Sequence, residues 1–205
     1  MSAISPRLLQ GALVTQPARG PASTIAFQYN PETLTRRLQP RVLGGGEGRG
    51  DQAIRLSGPP KETIQLTVEL DATDALERGD GSAIANGIQP DLAALELLLY
   101  PPASHVDELE RRASAGELEI IPPEAPVTLL RWDSHRSIPV RVTEMAIVEE
   151  AHDPQLNPIR AKIDLTLEVL SHADVGMRSP IHGHFMSFQR TKESLARGRP
   201  GPSTR

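Results

Sequence analysis

The feature that most constrains the fold is an alternation between residues 159 and 169. Ile159, Ala161, Ile163, Leu165, Leu167 and Val169 take the odd positions, while Arg160, Lys162, Asp164, Thr166 and Glu168 take the even ones. A period of two sends the first set to one face of a β-strand and the second set to the other, giving one dry side and one wet side. Upstream, Ile138, Val140 and Val142 alternate, and the apolar set then resumes at Met145 and Ile147. That change of parity predicts a β-bulge near Thr143. Residues 149–158 between the two runs contain Asp153-Pro154 and Asn157-Pro158, which is turn chemistry. The result is a hairpin whose second strand runs to about 40 Å at ~3.3 Å per residue, roughly twice the usual strand length. Such a hairpin is expected to overhang its own core, and an overhanging strand edge invites pairing with another subunit.

The core must be built almost without aromatic rings. Of 205 residues only 3% are Phe, Trp or Tyr and 38% are hydrophobic, so Leu, Ile, Val and Ala must fill a modest interior. Nineteen Pro and sixteen Gly assign much of the chain to loops that either hang free or are ordered by partners. A net charge of −4 gives no electrostatic basis for holding nucleic acid or an anionic membrane. No apolar run reaches the ~18 residues of a membrane helix, and the N-terminus lacks the pattern of a secretion signal, so the expectation is a soluble chain made in the cytoplasm. The absence of cysteine removes disulfides, thiolate nucleophiles and Cys-based zinc sites together.

Residues 1–22 read as an N-terminal arm, with a strand possible around Leu13-Val14. Ile25, Phe27 and Tyr29 alternate in a short strand stopped by Asn30-Pro31, and this strand is expected to be in the core. Residues 34–42, with Arg36, Arg37 and Arg41, read as an exposed strand or connector. Residues 43–62 form a Gly-rich loop; no Gly-Lys-Ser/Thr follows to make it a phosphate cradle, and Arg49-Gly50-Asp51 matches an adhesion tripeptide in letters only. Ile64, Leu66, Val68 and Leu70 alternate in a further strand. Leu92, Leu95, Leu98 and Leu99 then change the period to helical between Pro90 and the Pro101-Pro102 stop, predicting one helix packed on the sheet. A second short helix starts near Ser104, a strand is possible at Leu118 and Ile120, and residues 127–132 are another apolar strand. Residues 176–205, rich in Gly, Pro, Ser and Arg, read as a flexible or partner-ordered tail.

The candidates for chemistry are thin. His182 and His184 could face one metal, but no third ligand lies nearby in sequence. Asp133, Ser134 and His135 hold the letters of a catalytic triad, yet adjacent residues cannot fill its geometric roles. Asp71, Asp74, Glu77 and Asp80 suggest a calcium loop but miss the EF-hand order of ligands. No catalytic, cofactor-binding or metal residue is therefore assigned, no cofactor is expected, and the chain is not read as an enzyme. The alternating charges Arg160, Lys162, Asp164 and Glu168 are either a solvated face or an intersubunit one.

Four motifs in order do carry a resemblance. Phe27-Gln28-Tyr29-Asn30-Pro31-Glu32, the run from Ile64 to Thr73 ending in Leu70-Asp71-Ala72-Thr73, Leu130-Arg131-Trp132, and the run from Pro158 through Arg160-Ala161 to Leu167 together resemble the tube-domain family of contractile injection systems, phage-tail-like machines that drive a rigid tube into a target cell. The likeness spans about residues 23–171. It implies a mainly β (α+β) fold: a small antiparallel β-barrel or sandwich over residues 23–175 with one flanking helix and the extended hairpin. It also implies a ring, expected to hold six copies, joined by strand pairing between subunits.

The role implied is structural: a baseplate ring connecting the inner tube to the spike, with a repeating inner-tube subunit as the alternative and a cell-wall or carbohydrate-binding module as a third reading of another class. Expected partners are further copies of the chain, inner-tube proteins, and spike and other baseplate proteins, assembled in the cytoplasm into a particle that can be released; nucleic acid and membrane are not expected. Two departures from the family stand out. The turn reads Asp153-Pro154-Gln155-Leu156-Asn157-Pro158 where relatives tend toward Asp-Gly-Thr-Pro, and the Gly-rich and 79–89 insertions are long. Similar baseplate adaptors often continue into a LysM domain; none is expected here, so peptidoglycan binding is not carried over.

Overall fold

Strand β9 (Pro158–Val169) is the spine of the molecule, hydrogen-bonded along both sides in a mainly β structure with flanking helices. The computed structural model describes residues 10–16, 22–43, 55–116 and 126–199. The alternation of β9 is realised: Ala161, Ile163, Leu165, Leu167 and Val169 are buried, while Arg160, Lys162 and Asp164 are exposed. On one side β9 pairs antiparallel with β6 (Lys61–Asp71), whose Ile64, Leu66, Val68 and Leu70 join the same dry face. On the other it pairs with β8 (Ser137–His152).

The register of β8 on β9 shifts between Val142 and Glu144, so the bulge falls at Thr143, whose hydroxyl donates to the Thr166 carbonyl at 3.0 Å. Without that extra residue Met145 and Ile147 would turn to the wet face; with it they pack against the core.

Four further strands complete one seven-stranded antiparallel sheet: β1 (Ala12–Gln16), β2 (Ser23–Ala26), β3 (Leu34–Gln39) and β7 (Val127–Arg131), in the order β2-β1-β7-β8-β9-β6-β3. A two-stranded ribbon, β4 (Val42–Leu43) with β5 (Arg55–Leu56), stands apart. Among the described residues β2 and β3, the two ends of this order, are not paired with each other, so these strands do not close into a barrel. The sheet nevertheless folds over a single core, because Leu13, Phe27 and Leu130 from one end share a cluster with Ile64, Leu66 and Leu165 from the other.

Several expectations need correction. Residues 12–16, within the expected N-terminal arm, are an interior strand with Leu13 fully buried between two neighbours. The strand at 23–26 lies at the sheet edge; Phe27 is buried just past it, but Tyr29 is exposed.

Where one flanking helix and a second short one are expected, the described residues form α1 (Thr73–Glu77), α2 (Gly81–Asn86), α3 (Gln89–Glu96), α4 (Ala103–Ser114) and α5 (Pro180–Arg197). α3 and α4 are the two helices expected, with Leu92 and Leu95 of α3 in the core. α2 exists because Asp80 caps it, accepting from the Ser82 and Ala83 N–H groups at 2.9 and 3.0 Å. Gly87 ends it at φ 58°, and a Cβ there would stand 2.0 Å from the Pro158 carbonyl oxygen, so no other residue fits.

The expected tail at 176–205 contains α5. Ser179 caps its first turn, Pro180 occupies the start, and Phe185 and Phe188, one turn apart, bury themselves in the core. The strand expected at Leu118 and Ile120 and the Arg49-Gly50-Asp51 triplet lie outside the described residues.

Candidate assembly face

The four sequence motifs meet in space. The side-chain amide of Gln28 donates to the Asp71 carbonyl at 2.6 Å and accepts from the Asp71 N–H at 2.8 Å, tying the first motif to the second. Arg160, from the last motif, donates through Nε to Asp71 Oδ2 at 2.8 Å, and the Ala72 N–H reaches the Ile159 carbonyl at 2.9 Å. At the other end of the first motif, Asn30 Oδ1 accepts from the Gly11 N–H and the Phe27 N–H donates to the Gly11 carbonyl, each at 2.8 Å. A Cβ on Gly11 would lie 2.8 Å from the Phe27 ring and 3.4 Å from Trp132, so this glycine lets all three segments close together.

Asp71 is the node of this arrangement. Partial burial pushes its pKa up, but the hydroxyl and N–H of Thr73 and the Arg160 guanidinium outweigh that and hold it below its ordinary value. The motifs are thus a framework that ties distant segments of the chain together.

What the framework holds out is a four-stranded wing, β3-β6-β9 with the second half of β8. Its wet face is laced by cross-strand pairs: Arg160 with Asp71, Lys162 with Glu150 at 3.2 Å and Glu69 at 4.0 Å, Thr67 with Asp164 at 2.6 Å, and Arg141 with Glu168. The outer edges of the wing differ in charge. β7 pairs with β8 only over residues 137–140, so from 141 to 152 β8 has β9 on one side and no described strand on the other. That open stretch carries Glu144, Glu149 and Glu150 against Arg141, with Glu149 meeting His152 at 2.9 Å and Glu150 meeting Lys162 at 3.2 Å. At the opposite edge β3 pairs only with β6 and carries Arg36 and Arg37. Arg36 also reaches inward, donating through Nε to Glu62 Oε1 at 2.7 Å, and Lys192 of α5 meets Glu62 Oε2 at 3.6 Å, so a buried carboxylate fastens the helix to the wing.

The β8–β9 turn is rigid. Asp153 Oδ1 accepts from the Gln155 and Asn157 N–H groups, each at 2.8 Å, and Oδ2 accepts from the Asn157 side chain at 2.8 Å; the hydrogen bond from that side chain leads the causes that hold Asp153 below the usual carboxylate range. Asn157 also reaches the Ala85 carbonyl of α2 at 3.3 Å. Because Asn157 precedes a proline it is pushed toward extended backbone, and the left-handed position falls one residue earlier, on Leu156 at φ 67°. A leucine there costs about 1–2 kcal/mol, and its side chain is 79% exposed.

Several of the residues singled out for chemistry have structural partners. His182 and His184 lie on α5, where His182 sits edge-on to His172 with ring centroids 6.0 Å apart. Asp133 holds the β7–β8 turn: burial pushes its pKa up, but donation from Arg136 Nε at 2.6 Å and from the His135 and Arg136 N–H groups lowers it overall. Asp71 and Asp80 are engaged as described above, as framework node and helix cap. Among the described residues no three His, Asp or Glu side chains are grouped to hold a metal, and no helix is long and apolar enough to cross a membrane. Sequence reasoning missed the opposite charges of the two wing edges. The signal was present in Glu149-Glu150 and Arg36-Arg37, but which strands form the edges depends on the sheet order.

No protein-family profile and no curated protein matches the chain. Among solved structures it is similar to a chain of the tail of an empty gene transfer agent (GTA) particle with C6 symmetry, at 11% identity and a TM-score of 0.29, covering 78% of this chain and 90% of that one. A chain of the virion of the native GTA particle superposes at a TM-score of 0.27 with 10% identity, again over 78% and 90%. Both superpositions are too loose to establish a common fold.

Proposed function

We propose that the chain is a structural, non-catalytic ring component of a contractile injection machine, its copies joined where the open edge of β8 in one pairs with β3 of the next. The observation that carries this is the complementarity of the two edges. β3, β6, β9 and β8 alternate in direction, so a neighbour's β3 set beside β8 continues the antiparallel ladder, with its Arg37 on the same wet face as Glu144 of the open stretch. The interface is heterologous, so repeating the same contact gives a ring when the rotation between copies closes.

Four strands at ~4.8 Å spacing contribute about 19 Å each, so six copies give a circumference of about 115 Å and leave an open channel lined by one face of the wing. Within such a machine, assembled in the cytoplasm, the chain serves as a hexameric baseplate ring between the inner tube and the spike, with those proteins above and below it. A repeating inner-tube subunit of the same machine is the second reading.

Charge reversal tests the contact. Arg37→Glu should abolish higher-mass species in sedimentation velocity while leaving the melting temperature unchanged, and adding Glu144→Lys to the same chain should restore them. Assembly by the single variant as by wild type would refute the edge pairing.

A further inference from the structure

We infer that the joint between copies has a single register, in which Leu38 of β3 lies opposite Met145 of the neighbour's β8 and closes an apolar seam along the dry side. This inference rests on the edge pairing proposed above and assigns a partner to each edge residue.

The open stretch of β8 is regular over one window only. Its pairing with β9 shifts between Val142 and Glu144 and again between Glu149 and Ala151, so the unbroken ladder holds the six residues from Glu144 to Glu149. Strand β3 is also six residues long and pairs with β6 without a break. Full antiparallel overlap sets Gln39 opposite Glu144 and Leu34 opposite Glu149, which brings Leu38 to Met145. A slip of two residues in either direction carries β3 onto one of the irregularities, and a slip of one turns every side chain to the wrong face.

Faces and hydrogen bonds agree in this register. Leu34, Arg36 and Leu38 share the dry side with Leu66, Ile64 and Glu62 of β6, and Met145 and Ile147 share it with Leu165 and Ile163 of β9. A residue that exchanges hydrogen bonds with one antiparallel neighbour turns them away from the other. Three joints separate β3 from β8, so the dry rows at the two outer edges are in the same phase and one ladder can join them.

Leu38 is 50% exposed in the single copy, and Met145 and Ile147 are only partly covered, so the seam buries apolar surface that the fold leaves open. The two charged groups on this row are already answered within each copy, Arg36 by Glu62 at 2.7 Å and Glu149 by His152 at 2.9 Å. On the wet side Thr35 meets the exposed Val148, and Arg37 falls opposite Ala146, diagonal to Glu144 and within reach of it.

Cysteines placed in this cysteine-free chain read the register. Within one copy, positions 38 and 145 are three strand spacings apart, about 14 Å, too far for a disulfide, whereas directly opposed residues of paired strands are about 4.5–5.5 Å apart. Full-length chains carrying Leu38→Cys with Met145→Cys, with Ala146→Cys or with Ile147→Cys are concentrated, tested for higher-mass species by sedimentation velocity, then oxidised and run on a denaturing gel. The chain with Met145→Cys should give a ladder of linked copies in roughly tenfold excess over the other two. Assembly with the excess at 146 or 147, or with no excess, overturns the register and leaves the edge pairing standing. No assembly by these chains or by wild type removes the edge pairing and the register with it. Leu38→Thr is the second arm, since threonine suits a strand and adds no charge beside Glu62. It should melt as wild type does and need about tenfold more protein to assemble; assembly at the wild-type concentration overturns the seam.

Discussion

The two halves of strand β8 belong to different environments. Over 137–140 it is covered by β7, with β9 taking over from Val140, and Ile138 and Val140 are each 1% exposed. After Thr143 it keeps β9 as its only described strand partner, its dry face is only partly covered at Met145 and Ile147, and Val148 is 56% exposed. The end of the β7 pairing at Val140 and the bulge that follows it at Thr143 thus divide a strand that stabilises the fold from one that offers an edge. The lesson is that a hairpin this long serves two purposes, and the packed end supplies the stability that lets the wing stay open. Natural edges are usually blunted by charge, and here the charges on the two edges are opposite in sign, which favours one pairing and disfavours like-with-like association.

The largest effect is expected where the two regions share a core. Leu165, 1% exposed, lies on the dry face of β9, and Leu165→Asp buries a charge among aliphatic side chains at a cost of several kcal/mol, on the order of the whole stability of a domain. The variant should fail to give a cooperative thermal transition by circular dichroism. A wild-type melt would mean that the dry face is misassigned and that the wing is not anchored through β9.

A matched pair of truncations sharpens the contrast. Phe188→Ala, which removes a buried ring from α5, should lower the urea-derived stability by about 3–5 kcal/mol, whereas Ile147→Ala on the partly covered half of β8 should lower it by about 1–2 kcal/mol. Equal losses would erase the distinction between packed end and wing.

The smallest effect concerns the wet face. Asp71 is held below its ordinary pKa of 3.8, so its contribution is present above that value and is lost as pH falls through the lower folded-state value. Stability measured against pH should therefore be flat near neutrality and decline below about pH 4, and Asp71→Asn should reduce that decline. A loss centred near pH 6 would point instead to a histidine and contradict the assignment.

Strand β9, the Thr143 bulge, the Leu92 and Leu95 helix and the alternation of β6 were legible because a strict period marks each of them. α5 was hidden by composition, since Gly176, Pro180, Gly183 and several arginines suggest a loop. The helix signals were nevertheless there: Ser179-Pro180 is a cap followed by a helix start, and two of the three phenylalanines lie at 185 and 188. α2 was lost for a different reason. Asp80 reads equally as a loop carboxylate or a cap, and only the approach of Gly87 to Pro158 shows which role it takes. Strand β1 could not be read as central, because Leu13-Val14 is too short a signal to reveal that it sits between β2 and β7. For the assembly face, the overhang and its invitation to pair were evident in the hairpin length, but the basic edge that answers it required the sheet order.

The most direct measurement is amide hydrogen exchange, resolved by residue and followed from dilute to concentrated protein. If copies join through β8 and β3, the outward-facing amides within 141–152 and 34–39 exchange quickly in the monomer and become strongly protected together on assembly, while the inward-facing ones and the amides of β6 and β9 are protected throughout. Exchange at the two edges that stays fast in assembled material, or protection that arises elsewhere, would contradict the pairing on which the ring depends.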